Sequence, residues 1–332
     1  MTYEIQQRRT PVTSLASRAS QSERADIRLV TEQAEWDALV AASPMPHLPQ
    51  SFAYGEGKAA SGWRVVRAVF SLGGRPVAFA TVLQLRRFGL TLLNRVNRGP
   101  VFLESHPPRE QAVAVYTALR HRFGTLLRGP LTIAPALEMS AESDAILSSA
   151  GYHVRHRRSW RSGRIDLLQT EDQLWAGLAS TFRNRVRRAE KAGAELWIGD
   201  HAGSFEWMVA RHLENMREKH FNAVGPALLR GLRAADPNNV LVFQLIHEGR
   251  PVSGMSVVRF GAVAEYHIGW FGPEGRALNA GNFLMWKVMT EMKRRGVASF
   301  DVGGLKPGDG YTRFKQTMNP VEYDLAGEWW AI

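Results

Sequence analysis

Three strand-like runs follow one another in the stretch VLVFQLIHEGRPVSGMSVVRFGAVAEYHIGWF, which extends from Val240 to Phe271. The runs cover residues 240–247, 251–260 and 264–271, and each is apolar and rich in β-branched or aromatic residues. The turn Glu248-Gly249-Arg250 separates the first two runs and is typical of a hairpin. This stretch therefore predicts an antiparallel meander.

The first half of the chain has the same order of elements. Strand-like runs at 63–70 and 76–85 flank Gly73-Gly74, and a third run lies near 90–96. Helical periodicity precedes and follows each meander, at 32–42 and 109–127 in the first half and at 182–192 and 281–295 in the second. No sequence repeat is detected. This order favours an α+β fold of two units over a parallel, doubly wound sheet.

Composition is that of a folded protein of about two domains. The 332 residues are 45% hydrophobic and 22% charged, and the absence of cysteine excludes disulfides, thiolate zinc sites and a cysteine nucleophile. Residues 1–26 are polar, lack the apolar core of a signal peptide and are expected to form a flexible leader. No apolar run is long enough to cross a bilayer, so we expect a cytoplasmic protein without stable membrane insertion.

Positive charge is the bulk property that bears most on function. The formal net charge is +11, which fits either a polyanionic partner or a solvated basic surface. The predicted helix at 182–192 concentrates this charge, because its apolar residues Phe182, Val186 and Ala189 share one face. The opposite side carries Arg183, Arg187, Arg188 and Lys191. Such a face could bind phosphates or merely be solvated.

A glycine-rich segment, Asp301-Val302-Gly303-Gly304, ends a predicted strand and is followed by Phe314 and Lys315. Glycines there allow a backbone to approach a ligand closely, although a plain turn would also explain them. The segment lacks the Gly-Lys-Ser/Thr ending of a P-loop. No histidine pair has the spacing of a zinc protease and no serine lies in a Gly-x-Ser-x-Gly elbow, so we expect no metal site and no serine hydrolase.

Several segments, taken in order, resemble one family. They are Gln50-Ser51-Phe52-Ala53-Tyr54-Gly55-Glu56-Gly57-Lys58, Gly62-Trp63, Arg98-Gly99-Pro100-Val101, the arginine-rich helix ending at Gly193, Phe300-Asp301-Val302-Gly303-Gly304, and Phe314-Lys315. Together they are similar to the Fem-type peptidoglycan-bridge aminoacyltransferases. The likeness extends from about Ile27 to Trp330.

The resemblance implies two tandem GNAT-like domains, each a mostly antiparallel mixed sheet flanked by helices. The implied limits are 27–165 plus 318–332 for the first domain and 166–317 for the second. The implied reaction moves an amino acid from aminoacyl-tRNA to an amine of a peptidoglycan precursor, either UDP-linked or lipid-linked, and needs no cofactor. Peripheral association with the inner face of the membrane would be compatible with a lipid-linked precursor.

The resemblance also implies roles for individual residues. Lys58 matches a lysine associated with the diphosphate of the precursor, and Arg98 lies in a second substrate-binding segment. A diphosphate-binding arginine is expected within 216–221, where Arg217 and Lys219 are the candidates. Phe314 and Lys315 match the Phe-Lys pair near the aminoacyl ester.

We expect the Lys315 ammonium to stabilise the tRNA 3′ end or the oxyanion formed at the ester. Asp301 or the substrate's own carboxylate would accept the proton of the attacking amine. The cationic side of the helix at 182–192 would then bind tRNA.

Three alternatives remain open at this level. The first is an acyl-CoA-dependent N-acyltransferase, whose pyrophosphate loop would be Arg276-Ala277-Leu278-Asn279-Ala280-Gly281, with Asn279 where that loop normally has its first glycine. The second is tRNA-dependent aminoacylation of a small metabolite. The third is an RNA-binding module without activity.

Overall fold

The computed structural model describes residues 24–157, 160–199 and 201–332, so most of the expected leader lies outside the described residues. The strands are β1 (Asp26–Val30), β2 (Arg64–Leu72), β3 (Arg75–Arg87), β4 (Leu90–Asn97), β5 (Val101–Phe102), β6 (Leu131–Ala134), β7 (His153–His156), β8 (Arg161–Asp166), β9 (Glu195–Gly199), β10 (Val240–His247), β11 (Arg250–Phe260), β12 (Val263–Phe271), β13 (Ser299–Asp301), β14 (Val321–Asp324) and β15 (Glu328–Ala331). The helices are α1 (Gln33–Ala42), α2 (Phe52–Ala60), α3 (Arg109–Phe123), α4 (Ala141–Ser149), α5 (Glu171–Gly177), α6 (Ser180–Lys191), α7 (Ala202–Glu218), α8 (Pro226–Ala235), α9 (Pro273–Ala277), α10 (Ala280–Arg294) and α11 (Gly310–Gln316).

Two mixed sheets have the same internal order. The first runs β1-β2-β3-β4-β6-β15-β7, with β5 paired to β3, and the second runs β9-β10-β11-β12-β13-β8-β14. In each sheet the fourth and fifth strands are parallel and their other neighbours are antiparallel. The expected α+β fold of two tandem units is confirmed.

The chain crosses from the first sheet to the second and back again at the edges that contain β7 and β14. β7 belongs to the first sheet and β8 to the second, whereas β14 pairs with β8 and β15 returns to the first sheet between β6 and β7. The sheets therefore divide between β7 and β8 and again between β14 and β15. We propose that the domains divide at the same two places, so that β14 belongs to the second domain and β15 to the first.

A short repeat lies at equivalent hairpins. Gly74-Arg75-Pro76-Val77 joins β2 to β3, and Gly249-Arg250-Pro251-Val252 joins β10 to β11. Both ladders shift register there, between Phe70 and Ser71 in one and between Leu245 and Ile246 in the other. The same four residues at the same irregularity support an origin of the two units by duplication.

The units are joined by a shared core. Val69 and Phe79 of the first sheet pack with Phe205 and Met208 of α7 and with Val258 of β11. Two glycines bring α2 and α8 together, because a Cβ at Gly57 would lie 2.6 Å from the Leu228 carbonyl oxygen and one at Gly231 would lie 2.9 Å from the Gly57 Cα. This close crossing fixes the end of α2, where Lys58 lies.

Candidate active site

A large cleft opens where β12 parts from β13. These strands pair only over Val263–Glu265 and Ser299–Asp301, so the remainder of β12, residues 266–271, borders a cleft of about 1040 Å³. The opposite walls come from the glycine-rich segment after β13, from α11 and from the first turn of α10. Ligands of open sheets commonly bind where adjacent strands diverge in this way.

A β-bulge places His267 on the wall of this cleft. The register of β11 against β12 passes from Ser256↔Ile268 to Val257↔Tyr266, which leaves His267 as the extra residue. Its Nδ1 atom is buried and has no hydrogen-bond partner among the described residues. Burial, reinforced by nearby His212 and Arg98, lowers the pKa of His267 to about 4. His267 is therefore a neutral imidazole at physiological pH.

Lys315 presents a buried ammonium to the same cleft. Its Nζ atom donates a hydrogen bond to the Gly304 carbonyl oxygen at 2.9 Å and lies 5.1 Å and 4.8 Å from the ring centres of Tyr266 and Tyr311. Burial lowers the pKa of Lys315 to about 8, although the carboxylates of Asp301, Glu265 and Asp309 oppose the shift. The group can thus exchange a proton near neutral pH.

Aromatic rings hold the helix that carries Lys315. Phe314 lines the cleft and is stacked against Tyr311 at 5.8 Å and against Phe182 at 6.1 Å between ring centres. Phe182, Val186 and Ala189 of α6 are buried, as their spacing predicts. The apolar face of the arginine-rich helix therefore supports the candidate site directly.

Asp301 lies behind the cleft rather than on its wall. One carboxylate oxygen accepts hydrogen bonds from the Ser162 hydroxyl and the Gly303 amide, and the other accepts a 2.6 Å hydrogen bond from the Tyr323 hydroxyl. Asp301 is 1% exposed. Because donors within the protein occupy both oxygens, this geometry suits a positioning role for the Gly303-Gly304 turn better than proton transfer with a substrate.

A second, smaller cleft of about 490 Å³ lies in the first unit and contains Lys58, Arg95 and Arg98. The Lys58 ammonium lies 5.6 Å from the centre of the Tyr54 ring, and burial together with Arg95 lowers its pKa. Trp160 lines both this cleft and the large one. The two clefts thus share a wall.

Arg98 forms an ion pair with Glu265 within the protein. Its guanidinium donates to both carboxylate oxygens of Glu265, at 2.9 Å and 3.1 Å, and stacks on Trp160 with 4.3 Å to the ring centre. Arg98 is in the first unit and Glu265 is on β12, so the pair joins the units beside both clefts. The bidentate pairing leaves Arg98 less free to bind substrate than the sequence suggested.

The remaining cationic residues are divided between the cleft and the outer surface. Lys219 lines the large cleft, whereas Arg217 is exposed outside it. Arg183 donates to the backbone carbonyls of Ala176 and Leu178 at the end of α5, so it caps that helix. Arg187, Arg188 and Lys191 are exposed.

Sequence reasoning missed several residues that line the clefts, among them Arg185, Tyr266 and His267 in the large cleft and Arg95 in the small one. Arg185 lies in α6, between the apolar face and the cationic side that the sequence analysis describes. Tyr266 and His267 were interpreted as part of a regular strand, and only the bulge turns them to the site.

Within the described ranges, no group of three or more histidine, aspartate or glutamate side chains is placed to hold a metal ion. No helix in that part of the chain is both long and apolar enough to span a bilayer.

Comparison with known proteins agrees with this geometry. Residues 178–316 match the family model described as an acetyltransferase (GNAT) domain. The crystal structure of FemX superposes with a TM-score of 0.78 and 15% identity, covering 92% of this chain and 97% of that one. The protein has the tandem GNAT-like fold of FemX.

Two further solved structures share this fold with lower TM-scores. The C-terminal domain of a putative lysylphosphatidylglycerol synthetase from Agrobacterium fabrum has a TM-score of 0.54 and 13% identity, with 90% of this chain and 92% of that one covered. A tandem GNAT protein of the clavulanic acid biosynthesis pathway has a TM-score of 0.50 and 15% identity, with 93% and 98% covered. A search of curated protein sequences gives no significant match.

Proposed function

We propose that this FemX-like protein transfers an amino acid from aminoacyl-tRNA to an amine of a peptidoglycan precursor. The observation that carries the proposal is the pair of adjoining clefts. One contains a buried ammonium of lowered pKa, Lys315, and the other contains Lys58 together with Arg95, which is ion-paired to Glu328 of the same cleft. A reaction with an aminoacyl ester donor and a diphosphate-containing acceptor needs one site of each kind.

The chemistry follows from the position of Lys315. The acceptor amine attacks the ester carbonyl, an amide bond forms, the ester C–O bond breaks, and the tRNA 3′ oxygen leaves with a proton. The ammonium would stabilise the oxyanion of the intermediate and could protonate the leaving oxygen, since its pKa of about 8 is close to the working pH. With Asp301 occupied internally, we assign removal of the amine proton to a carboxylate of the acceptor.

The rim of the large cleft offers charge for the 3′ end of a tRNA. Arg185, Lys219 and Lys306 line it, and the first turn of α10 adds the positive end of a helix dipole. The Asn282 amide nitrogen in that turn is buried without a partner among the described residues. Outside the cleft, Arg187, Arg188 and Lys191 extend the basic surface along α6 and would contact phosphates further from the ester.

Transfer from acyl-CoA is the second candidate, and the match to an acetyltransferase domain favours it. The pyrophosphate of CoA would bind at the N-terminus of α10. Asn279 caps this helix with φ +58°, a left-handed conformation that asparagine tolerates better than most residues. The substitution of asparagine for glycine there is therefore compatible with either donor.

Transfer assays with two labelled donors separate these candidates. A mixed pool of charged tRNA and acetyl-CoA are each offered with a UDP-linked muropeptide, a lipid-linked muropeptide and a panel of small amines. We expect label from tRNA on a muropeptide. Label from acetyl-CoA alone would contradict the proposal and establish the second candidate, and label from tRNA on small amines alone would refute the muropeptide acceptor. tRNA binding without transfer to any acceptor would indicate an RNA-binding module.

The proposed donor also bears on location. Charged tRNA is a cytoplasmic molecule, so the proposed reaction places the protein on the cytoplasmic side of the membrane. Fractionation of cells that express the tagged protein tests this placement.

A further inference from the structure

Two neighbouring turns of the first unit expose large apolar side chains. One joins β3 to β4 and carries Phe88, which is 95% exposed. The other follows α3 and carries Leu126 and Leu127, which are 85% and 99% exposed. With the partly exposed Leu90 and Leu92 of β4, these side chains form what we call the apolar edge.

Contacts with β4 hold the second turn against that strand. The Asn94 side chain on β4 donates to the Arg128 carbonyl oxygen at 2.8 Å and to the Phe123 carbonyl oxygen at 2.7 Å. Gly129 approaches β4 so closely that a Cβ there would lie 2.6 Å from the Thr91 carbonyl oxygen. The turn with Leu126 and Leu127 is therefore held beside the strand that carries Leu90 and Leu92.

The fold gives no reason for leucines in the second turn. The Arg128 amide donates to the Thr125 carbonyl oxygen at 3.0 Å, so Leu126 and Leu127 are the two central residues of a hydrogen-bonded turn. Glycine, proline, asparagine and aspartate usually occupy such positions. Exposed leucines contribute no burial to stability, and a contiguous exposed apolar patch marks an interaction site.

Arginines surround the apolar edge. Arg86 and Arg87 precede Phe88, and Arg122 and Arg128 flank the leucine turn. All four are exposed, and none forms an ion pair with a carboxylate in the part of the chain that the structure describes. Apolar tips within a ring of unpaired cations complement a bilayer surface that combines acyl chains with anionic headgroups.

We propose that the apolar edge inserts into the surface of an anionic phospholipid bilayer, with Phe88, Leu126 and Leu127 among the acyl chains and the arginines at the headgroups. Nucleic acid would match the arginines but not the leucines. This binding does not depend on the proposed function. If both hold, the acceptor cleft is close to the membrane, because Arg95 of that cleft is three residues, about 10 Å, along β4 from Leu92.

Co-sedimentation of the full chain with vesicles tests the proposal. Vesicles of phosphatidylcholine containing about one third phosphatidylglycerol should bind the protein, and pure phosphatidylcholine should bind it at least tenfold more weakly. The double variant Leu126→Ser/Leu127→Ser should bind the anionic vesicles at least tenfold more weakly than the unmodified protein. Arg86→Gln and Arg87→Gln should each weaken binding about fivefold.

Leu168→Ser and Val321→Ser are matched controls, because both side chains are exposed to a similar degree outside the apolar edge. These controls should bind like the unmodified protein. Equal binding by the double leucine variant, or no binding of the unmodified protein, would overturn the proposal. Loss of self-association in the leucine variant without vesicle binding by either protein would instead identify the edge as a contact between copies.

Discussion

The two units have the same strand order but differ at their parallel pair. In the first, β4 and β6 pair over Asn94–Asn97 and Leu131–Ala134, up to the C-terminal ends of both strands, and the Gly99 amide continues the contact to the Ala134 carbonyl oxygen. In the second, β12 leaves β13 after Glu265 and the large cleft opens. One sheet is therefore closed at the point where the other opens into the candidate active site. Under the proposed function, the second unit carries the chemistry and the first binds the acceptor.

The contact between the units predicts the largest effect on stability. Arg98→Ala would leave the buried Glu265 carboxylate without its partner, and we expect it to lower the free energy of unfolding by about 3–5 kcal/mol. Chemical denaturation measures this loss. The double variant Arg98→Met/Glu265→Leu should recover most of it. A normal unfolding midpoint for Arg98→Ala, with a raised KM for the acceptor, would show that Arg98 binds substrate instead.

Removal of the Lys315 ammonium from the large cleft should have the largest effect on the reaction rate. We expect Lys315→Ala to lower kcat about 10²–10³-fold, the range found when an oxyanion donor is removed. Lys293→Ala is the control, because Lys293 hydrogen-bonds the Leu167 carbonyl outside the cleft. If Lys315→Ala retains more than half of the activity, the large cleft is not the site of the reaction.

The close crossing of α2 and α8 can be disturbed by one methyl group. Gly57→Ala places a Cβ against the backbone of α8, and we expect a loss of about 1–3 kcal/mol in the free energy of unfolding. Gly177→Ala is matched, since nothing lies within 4 Å of a Cβ there. Equal thermal unfolding of the two variants would mean that this crossing does not fix the position of Lys58.

The lowered pKa of Lys315 predicts a pH dependence. The ammonium is the active form in this account, so kcat should fall as pH rises through about 8. Lys315→Arg keeps its charge above this range, and any residual activity should not show that decline. If the unmodified enzyme and the arginine variant decline at the same pH, a different group titrates.

The helices α1, α3, α6 and α10, the two meanders and the apolar face of α6 were predictable because their periodicity is local. The pairing of β14 with β8 and the return of β15 to the first sheet depend on contacts distant in sequence. The family resemblance implied that residues 318–332 return to the first domain and did not distinguish the two strands. The Gly-Arg-Pro-Val repeat was present in the sequence but too short to be recognised without the two equivalent hairpins.

Of the candidate site, the glycine-rich turn and the Phe314-Lys315 pair were singled out from the sequence, and the structure brings both to the large cleft. The environment of the other candidate residues depends on which groups the fold buries together, and the sequence does not show this. Arg183 and Arg98 form contacts within the protein because the fold places hydrogen-bond acceptors beside them. Asp301 accepts hydrogen bonds from Ser162 and Tyr323 and therefore lies behind the cleft. His267 had no local signal because a bulge is a property of two paired strands.

The central claim is that the large cleft carries out the reaction and the small cleft binds the acceptor. Its most direct test is single-turnover transfer from charged tRNA at increasing acceptor concentration. Our account predicts that Lys58→Ala needs about tenfold more acceptor but reaches nearly the full rate, whereas no acceptor concentration restores Lys315→Ala. The opposite pattern, with a low maximal rate for Lys58→Ala and a restored rate for Lys315→Ala, would contradict it.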